Sequence, residues 1–191
     1  MEEQLHLEAD GLGIIRGERI LFRDVSLAIG AGEALLLRGA NGAGKTTLLR
    51  CLAGLARPES GQCERSEFHW LGHRTGVKPH ETPELHIKTW AMAYGADSGA
   101  AAAAISLMGL DQVRDVAGAQ LSAGQRKRTA LARTQLVSRP LWILDEPFSA
   151  LDPEGKHLLA DLIAKHRSNG GAVIAAVHGE VPILDAREVR L

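Results

Sequence analysis

The segment GANGAGKTT, residues 39–47, carries the clearest chemical pattern in the chain. It fits G-x-x-x-x-G-K-[ST], in which glycines let the backbone curl so that its N–H groups point at a phosphate. Lys45 is expected to reach the β- and γ-phosphates of a nucleotide, and Thr46 to offer its hydroxyl to Mg²⁺. The expected phosphate cradle is Gly39, Ala40, Asn41, Gly42, Ala43, Gly44, Lys45, Thr46 and Thr47. By itself the loop indicates only a nucleoside triphosphate.

Two carboxylates and a histidine follow other apolar runs. In LWILDEP, residues 141–147, Asp145 would end a buried strand, where a carboxylate is costly unless an ion is paired with it. Mg²⁺, reached through water, is the natural partner. Glu146 would then accept a hydrogen bond from the attacking water and polarise it. His178 ends AVIAAVH and could bind the γ-phosphate, although a lone histidine at a strand end is more often structural.

Predicted strands and helices alternate along the chain, and they must position these residues. Short, continuous apolar runs at 33–39, 141–145 and 172–177 are typical of strands buried on both faces of a sheet. Helical segments separate them, and two β-like runs at 5–9 and 25–29 precede them. The pattern predicts an α/β fold that has a phosphate-binding loop, a parallel or mixed sheet with helices on both faces, and a helical insertion.

The helical insertion is expected at about 75–138. Within it, Thr82 can cap a helix that has Pro83 at its first position. Ser98 is a possible cap for the alanine-rich helix that follows. The whole chain is expected to form one domain, 1–191, that contains this subdomain.

Composition excludes several classes of protein. A net charge of -1 gives no reason to expect nucleic-acid binding. Cys51 and Cys63 lack metal-like spacing, so free thiols in a reducing compartment are expected. The acidic N-terminus does not resemble a signal peptide. No apolar run approaches about 18 residues, so membrane contact is expected only through a partner.

Taken together, the motifs resemble the ATP-binding subunit of ABC transporters. The resemblance covers nearly the whole chain and depends on five ordered motifs. These are GANGAGKT, LSAGQ, ILDEP, SALD and the terminal His178. The resemblance implies the α/β fold of a P-loop NTPase, with an ABC-type ATPase core that has a mixed sheet, an antiparallel β edge and a helical insertion subdomain. It implies that Ser122, Gly124 and Gln125 of LSAGQ serve the γ-phosphate held by the other copy of a head-to-tail, ATP-dependent homodimer. Ser122 would offer a hydroxyl and Gly124 a close backbone approach, at the positive end of the next helix. It also implies that Asp152 links the two ATP sites across the dimer interface.

The sequence departs from the family at two places. Many members have an aromatic residue that stacks on adenine where this chain has Arg16, whose planar guanidinium can also stack. Most have a glutamine where His73 or Arg74 stands, so a direct metal contact is not expected there, and Arg74 is a possible substitute near the γ-phosphate.

These departures sharpen the resemblance. RGERILF, residues 16–22, and LGHRTGVKP, residues 71–79, are similar to the ATP-binding subunits of cytochrome c biogenesis haem exporters. That subfamily implies peripheral attachment to the cytoplasmic face of the bacterial inner membrane and integral membrane partner subunits. It also implies an indirect link to haem and to a periplasmic haem chaperone, whose release ATP hydrolysis would drive. The cofactors implied are ATP and Mg²⁺.

Other functions stay open at this point. One is an ABC transporter subunit for another cargo, such as a lipid, drug or lipoprotein. Another is a soluble ABC-type ATPase of DNA repair or translation, although those usually have long coiled-coil insertions or two cassettes. A regulatory module without hydrolysis is disfavoured because Lys45, Asp145, Glu146 and His178 are all present.

Two features are expected to be structural and not functional. The basic run RKR, residues 126–128, is interpreted as a solvated helix face. His69 and His73 are interpreted as surface and loop histidines and not as haem ligands.

Overall fold

The computed structural model describes residues 5–17 and 19–191; the side chains of Arg16 and Arg19 lie outside the description. The strands are β1 Leu5–Arg16, β2 Arg19–Gly30, β3 Ala34–Arg38, β4 Ser60–Arg65, β5 Phe68–Leu71, β6 Leu141–Asp145, β7 Ala172–Ala176 and β8 Arg187–Arg190. The helices are α1 Lys45–Leu52, α2 Pro83–Tyr94, α3 Ala100–Leu107, α4 Ala123–Leu131 and α5 Pro153–Ser168, with short 3₁₀ turns at Asp111–Val113 and Ala132–Gln135.

These elements form two compact units. The first comprises the described residues up to Gly72 together with Arg139–Glu146 and Asp161–Leu191, and the second comprises His73–Ser138 and Pro147–Ala160. Within the part of the chain that the structure describes, no helix has both the length and the apolar character needed to cross a bilayer.

A five-stranded parallel sheet forms the centre of the first unit. Its strand order is β5-β6-β7-β3-β8, and every neighbouring pair is parallel. All residues of β6 and β7 are buried, which is why their sequences are continuously apolar. Helix α1 contacts β6 and β7 and buries Leu48, Leu49 and Leu52. The α/β class predicted from the sequence is confirmed.

The antiparallel part of the first unit is a separate sheet. Its order is β2-β1-β4, and both pairings are antiparallel. The sequence analysis expected one mixed sheet with an antiparallel edge. The described strands instead form one parallel sheet and one separate antiparallel sheet. Strands β4 and β8 were not predicted, because their residues are mostly exposed and polar.

The second unit is helical. Thr82 caps α2 as predicted: its hydroxyl accepts a hydrogen bond from the Leu85 N–H at 3.1 Å, and Pro83 is the first helical residue. The predicted cap of α3 is wrong, since that helix begins after Gly99 and no side chain caps it. The Arg133 guanidinium lies 4.9 Å from the centre of the Trp90 ring, which stabilises a cation that is largely buried.

Candidate functional site

The phosphate loop leaves the carboxyl end of β3 and leads directly into α1. Gly44 is the residue before the helix; its φ of 104° is in the left-handed region, which glycine adopts without strain. A Cβ there would also approach the Phe22 ring to 3.2 Å. Among the side chains that the structure describes, none caps the first turn of α1, so its N–H groups are available to an anion at the positive end of the helix.

Lys45 is buried with its ammonium folded back on the loop. Its Nζ donates to the carbonyls of Gly39 at 2.7 Å and Ala40 at 3.1 Å. An ammonium has three N–H donors, so one is still available for a phosphate. The loop is thus held in shape by the same side chain that the sequence assigns to the phosphates.

The carboxyl ends of β6, β7 and β3 lie side by side, because β7 is between the other two strands. This brings Asp145, at the end of β6, to the phosphate loop. Thr46 Oγ1 donates to Asp145 Oδ2 at 3.0 Å, although the two residues are 99 positions apart. The other oxygen, Asp145 Oδ1, is buried and has no hydrogen-bond partner among the described residues. A buried carboxylate oxygen in this state is a strong acceptor that a cation or ordered water can satisfy.

Glu146 and His178 meet beside this pair. Glu146 Oε1 lies 3.3 Å from His178 Nε2, and the two side chains are 17% and 48% exposed. The Glu146 N–H donates to the Ala176 carbonyl at 3.0 Å, which ties the residue to the end of β7. Its φ of 51° is uncommon for a residue with a side chain and is found at functional sites more often than elsewhere.

The LSAGQ motif is in the second unit, at the start of α4. Ser122 is the N-cap: its Oγ accepts from the Gln125 N–H at 3.1 Å, and Gln125 Oε1 accepts from the Ser122 N–H at 2.8 Å. This reciprocal capping box fixes the first turn of the helix. The Ser122 hydroxyl acts here only as an acceptor, so its proton can still be donated to a ligand.

A cleft of about 600 Å³ opens next to this motif within the second unit. Residues 122–125 line one part of it, and Ala150 and Asp152 line another. A Cβ on Gly124 would lie 2.9 Å from the Ala150 carbonyl oxygen, so this approach requires glycine. Asp152 Oδ1 accepts from Arg128 Nη2 at 2.7 Å and from the Gly155 N–H at 2.9 Å. The Arg128 hydrogen bond holds the pKa of Asp152 below its usual range.

Comparison with known proteins agrees with this geometry. The family described as ABC transporter matches residues 22–149. The chain belongs to the ABC transporter family. It is 52% identical to the cytochrome c biogenesis ATP-binding export protein CcmA of Hyphomonas neptunium, over 97% of this chain and 96% of that protein. It is 40% identical to the protein of the same name in Maricaulis maris, over 97% and 91%.

A solved structure gives the same result for the fold. The ATP-binding subunit of an ABC transporter aligns with a TM-score of 0.81 and 25% identity, over 90% of this chain and 79% of that one. As a member of this family the chain binds ATP and is an ATPase whose activity is coupled to transport. ATP-binding subunits of ABC transporters dimerise and work with membrane subunits.

One interpretation of a basic segment in this ABC subunit was wrong. The RKR run, 126–128, is not a solvated face: Lys127 is 3% exposed and the Arg128 side chain 14% exposed. Arg126 donates to the carbonyls of Gly118 and Leu121, at 3.2 Å for the first. The bonds of Arg126 and Arg128 join the signature helix to its surroundings and could not be inferred from charge alone.

The histidines also differ from expectation. His69 is 2% exposed in β5 and is not a surface residue, whereas His73 and Arg74 are exposed. Among the described residues, no group of three or more His, Cys, Asp or Glu side chains is placed to hold a metal ion. The prediction that Arg16 stacks on adenine falls on a side chain that lies outside the described residues.

Proposed function

We propose that this chain is the ATP-hydrolysing subunit of a transporter that acts in cytochrome c biogenesis, where it drives haem export or release of a haem-loaded periplasmic chaperone. The observation that carries the proposal is the 52% identity to a cytochrome c biogenesis ATP-binding export protein over 97% of the chain. The departures at Arg16 and at His73 and Arg74 fit the same subfamily. The chain 1–191 would be a single ABC ATPase domain with a helical subdomain at about 75–138, and the compact unit that includes His73–Ser138 supports this division.

The nucleotide phosphates would lie on the loop from Gly39 to Thr47. Their negative charge would meet the uncapped N–H groups of α1 and the third donor of Lys45. The loop positions Ala40, Asn41, Gly42 and Ala43 would contribute backbone N–H groups, and Arg16 would stack on the adenine.

Mg²⁺ fits the residues present. Thr46 is exposed, and while its proton goes to Asp145, its oxygen lone pairs can face a cation. The unpartnered Asp145 Oδ1 supplies the negative charge that a divalent ion requires. When bound, Mg²⁺ would neutralise the charge that develops on the β- and γ-phosphates. Thr46 would hold it directly and Asp145 through water.

Glu146 would act as the general base that orients and polarises the attacking water. Its carboxylate is next to the metal-binding Asp145 in sequence and remains partly exposed, so water can reach it. His178, at 3.3 Å from Glu146, would orient that carboxylate and hydrogen-bond the γ-phosphate. Together with Lys45 these are the proposed catalytic residues.

The proposed partner in the ATP site is a second copy of the chain. Each chain has one phosphate loop and one LSAGQ motif, so a head-to-tail pair would form two complete sites. Ser122 has a proton to donate, Gly124 exposes backbone, and Gln125 holds the first turn of α4. Asp152, fixed by Arg128, would connect the sites across the interface.

Integral membrane subunits would anchor the pair at the cytoplasmic face of the bacterial inner membrane as a peripheral component.

The proposed function is tested by a gentle detergent pull-down of the Glu146→Gln chain with ATP from native membranes, followed by identification of the partners and a Soret absorbance measurement. Small cytochrome c biogenesis membrane subunits with haem in the eluate are expected. Unrelated permeases without haem would leave the ABC ATPase in place and overturn the cargo, in favour of a lipid, drug or lipoprotein.

A further inference from the structure

A buried histidine–carboxylate pair lies at the start of α2, and neither of its residues is among those assigned to the ATP site. His86 is 3% exposed, and its Nδ1 lies 2.9 Å from Glu81 Oε2. Burial lowers the pKa of the His86 ring, so the neutral ring is favoured at neutral pH. Because an ionised carboxylate can only accept, the proton of that ring lies on Nδ1 and is donated to Glu81.

Glu81 in turn organises a turn of the preceding loop. Its Oε2 also accepts from the Lys78 N–H at 3.2 Å, and its own N–H donates to the Lys78 carbonyl at 3.1 Å. Burial pushes the pKa of Glu81 upward, but the hydrogen bonds from His86 and Lys78 outweigh it and hold the pKa at about 2. The carboxylate is therefore charged at neutral pH, and its hydrogen bonds fix the turn 78–81.

This turn holds the segment that leads into LSAGQ. The Gly118 N–H donates to the Glu81 carbonyl at 2.8 Å, and the Ala119 N–H donates to the Pro79 carbonyl at 2.9 Å. The fit is close, since a Cβ on Gly118 would lie 2.4 Å from the Lys78 carbonyl oxygen. The position of residues 118–119 thus depends on the shape of the turn.

Arg126 continues the connection from this segment into the motif itself. Its guanidinium donates to the carbonyls of Gly118 and Leu121, and Leu121 is the first residue of LSAGQ. All of these contacts are within the second unit. A chain of hydrogen bonds therefore runs from His86 through Glu81 and Gly118 to the residue before the Ser122 cap.

We propose that His86 and Glu81 are positioning residues for LSAGQ: their buried hydrogen bond sets the place at which the motif is presented to the ATP of a second copy. The inference rests on the proposed composite ATP site. It assigns a function in pair formation to two residues that do not touch nucleotide.

The test uses the full chain with Glu146→Gln, in which ATP should accumulate the paired state. Two properties are measured for each variant: affinity of the monomer for nucleotide, by fluorescent ATP analogue titration, and ATP-dependent pairing, by sedimentation. His86→Leu removes the donor but keeps an apolar side chain in a buried place. It should weaken pairing by about tenfold while monomer nucleotide affinity stays within about twofold of the parent.

His86→Asn separates positioning from packing. Its amide can donate to Glu81 as the ring does, although it fills less space. A positioning role predicts that Asn pairs more tightly than Leu, whereas a packing role predicts the reverse order and would overturn the inference. Lys88→Ala is the matched control, since it breaks an exposed ion pair with Glu84 on the same helix and should pair like the parent.

A second variant covers the case in which His86→Leu does not fold. If His86→Leu fails to fold, Glu81→Met takes its place, because it keeps a side chain of similar length and removes the carboxylate that accepts from His86 and from the Lys78 N–H; the same loss of pairing is expected. Pairing equal to the parent in either folded variant would overturn the inference. If the Glu146→Gln parent itself does not pair with ATP, the composite site fails first, and the inference fails with it.

Discussion

At the scale of single residues, the chemistry proposed for this chain depends on the contact between Glu146 and His178. The left-handed backbone of Glu146 and its bond to Ala176 turn the carboxylate toward the histidine at 3.3 Å. A base held in this way can polarise water without a large rearrangement. Its replacement should therefore affect the reaction and not the binding of ATP.

Glu146→Gln is expected to lower turnover by roughly 100- to 10,000-fold, because it removes the water-polarising charge. ATP affinity should be unchanged, since the phosphate loop is intact. Steady-state phosphate release and nucleotide titration on the same preparation provide the check. Near-normal turnover in the variant would contradict the assigned role.

Asp145→Asn tests the metal site separately. The amide can still accept from Thr46, but it lacks the charge of the unpartnered Oδ1. The Mg²⁺ concentration needed for half-maximal activity should rise by about 10- to 100-fold. Nucleotide binding measured in EDTA is the internal control and should not change. An unaltered Mg²⁺ dependence would remove Asp145 from the metal site.

The roles of these residues could be predicted from their types and spacing more readily than their contacts. The phosphate-loop pattern and the carboxylates at the end of a buried strand are local features, so Lys45, Thr46 and Asp145 could be selected directly. The Thr46–Asp145 contact spans 99 positions and depends on the order of strands in the sheet. The Arg128–Asp152 pair was missed because a basic run gives no sign of which charges will be covered.

At the scale of elements, the approach of the α4 N-terminus to the 149–152 loop sets the shape of the cleft. Gly124 lies so close to the Ala150 carbonyl that a methyl group would be 2.9 Å from it. The loop cannot easily retreat, because Asp152 is held by Arg128 and by the first turn of α5.

Gly124→Ala should therefore push the 149–152 loop away from α4, change the shape of the cleft and reduce hydrolysis. Overpacking should also lower the free energy of unfolding by about 1–3 kcal/mol. Nucleotide affinity of the monomer should be retained. Gly99→Ala is the matched control, because no described residue other than its chain neighbours lies within 4 Å of the added Cβ. Denaturant titration and phosphate release check both variants; equal behaviour of the two would show that the close approach is unimportant.

The predictability of an element followed its burial. Strands β3, β6 and β7 could be predicted because every residue, or all but one, is buried and apolar. Strands β4 and β8 are exposed and have the sequences SGQCER and REVR, which lack a strand pattern. Strand β4 is extended because it pairs with β1, and β8 because it pairs with β3. The local β-propensity of a sequence does not predict such tertiary pairing.

At the scale of the whole molecule, one half-buried histidine and one buried histidine should make stability depend on pH. His166 stacks on Trp142 with ring centres 4.2 Å apart, and burial, aided by His6, lowers its pKa. Burial lowers the pKa of His86 as well. The unfolded chain, with histidine pKa values near 6.5, then binds more protons than the folded chain as the pH falls.

The free energy of unfolding should consequently decrease as the pH falls through about 6.5. Chemical denaturation between pH 7.5 and pH 5.5 measures this slope; Glu81, with a pKa of about 2, titrates below the window. His166→Gln should reduce the dependence of the free energy of unfolding on pH. His157 is an exposed residue of the same helix, so His157→Gln should leave this dependence unchanged. An identical slope in all three proteins would contradict the prediction.

The capping box at Ser122 has a kinetic consequence. Because Ser122 and Gln125 already satisfy each other, the LSAGQ turn is formed before any second copy arrives. This turn does not have to become ordered during association with a second copy, so little conformational entropy is lost there. The rate at which ATP-loaded chains associate should then be governed by diffusion and by the orientation of two preformed surfaces, and the lifetime of the pair by hydrolysis.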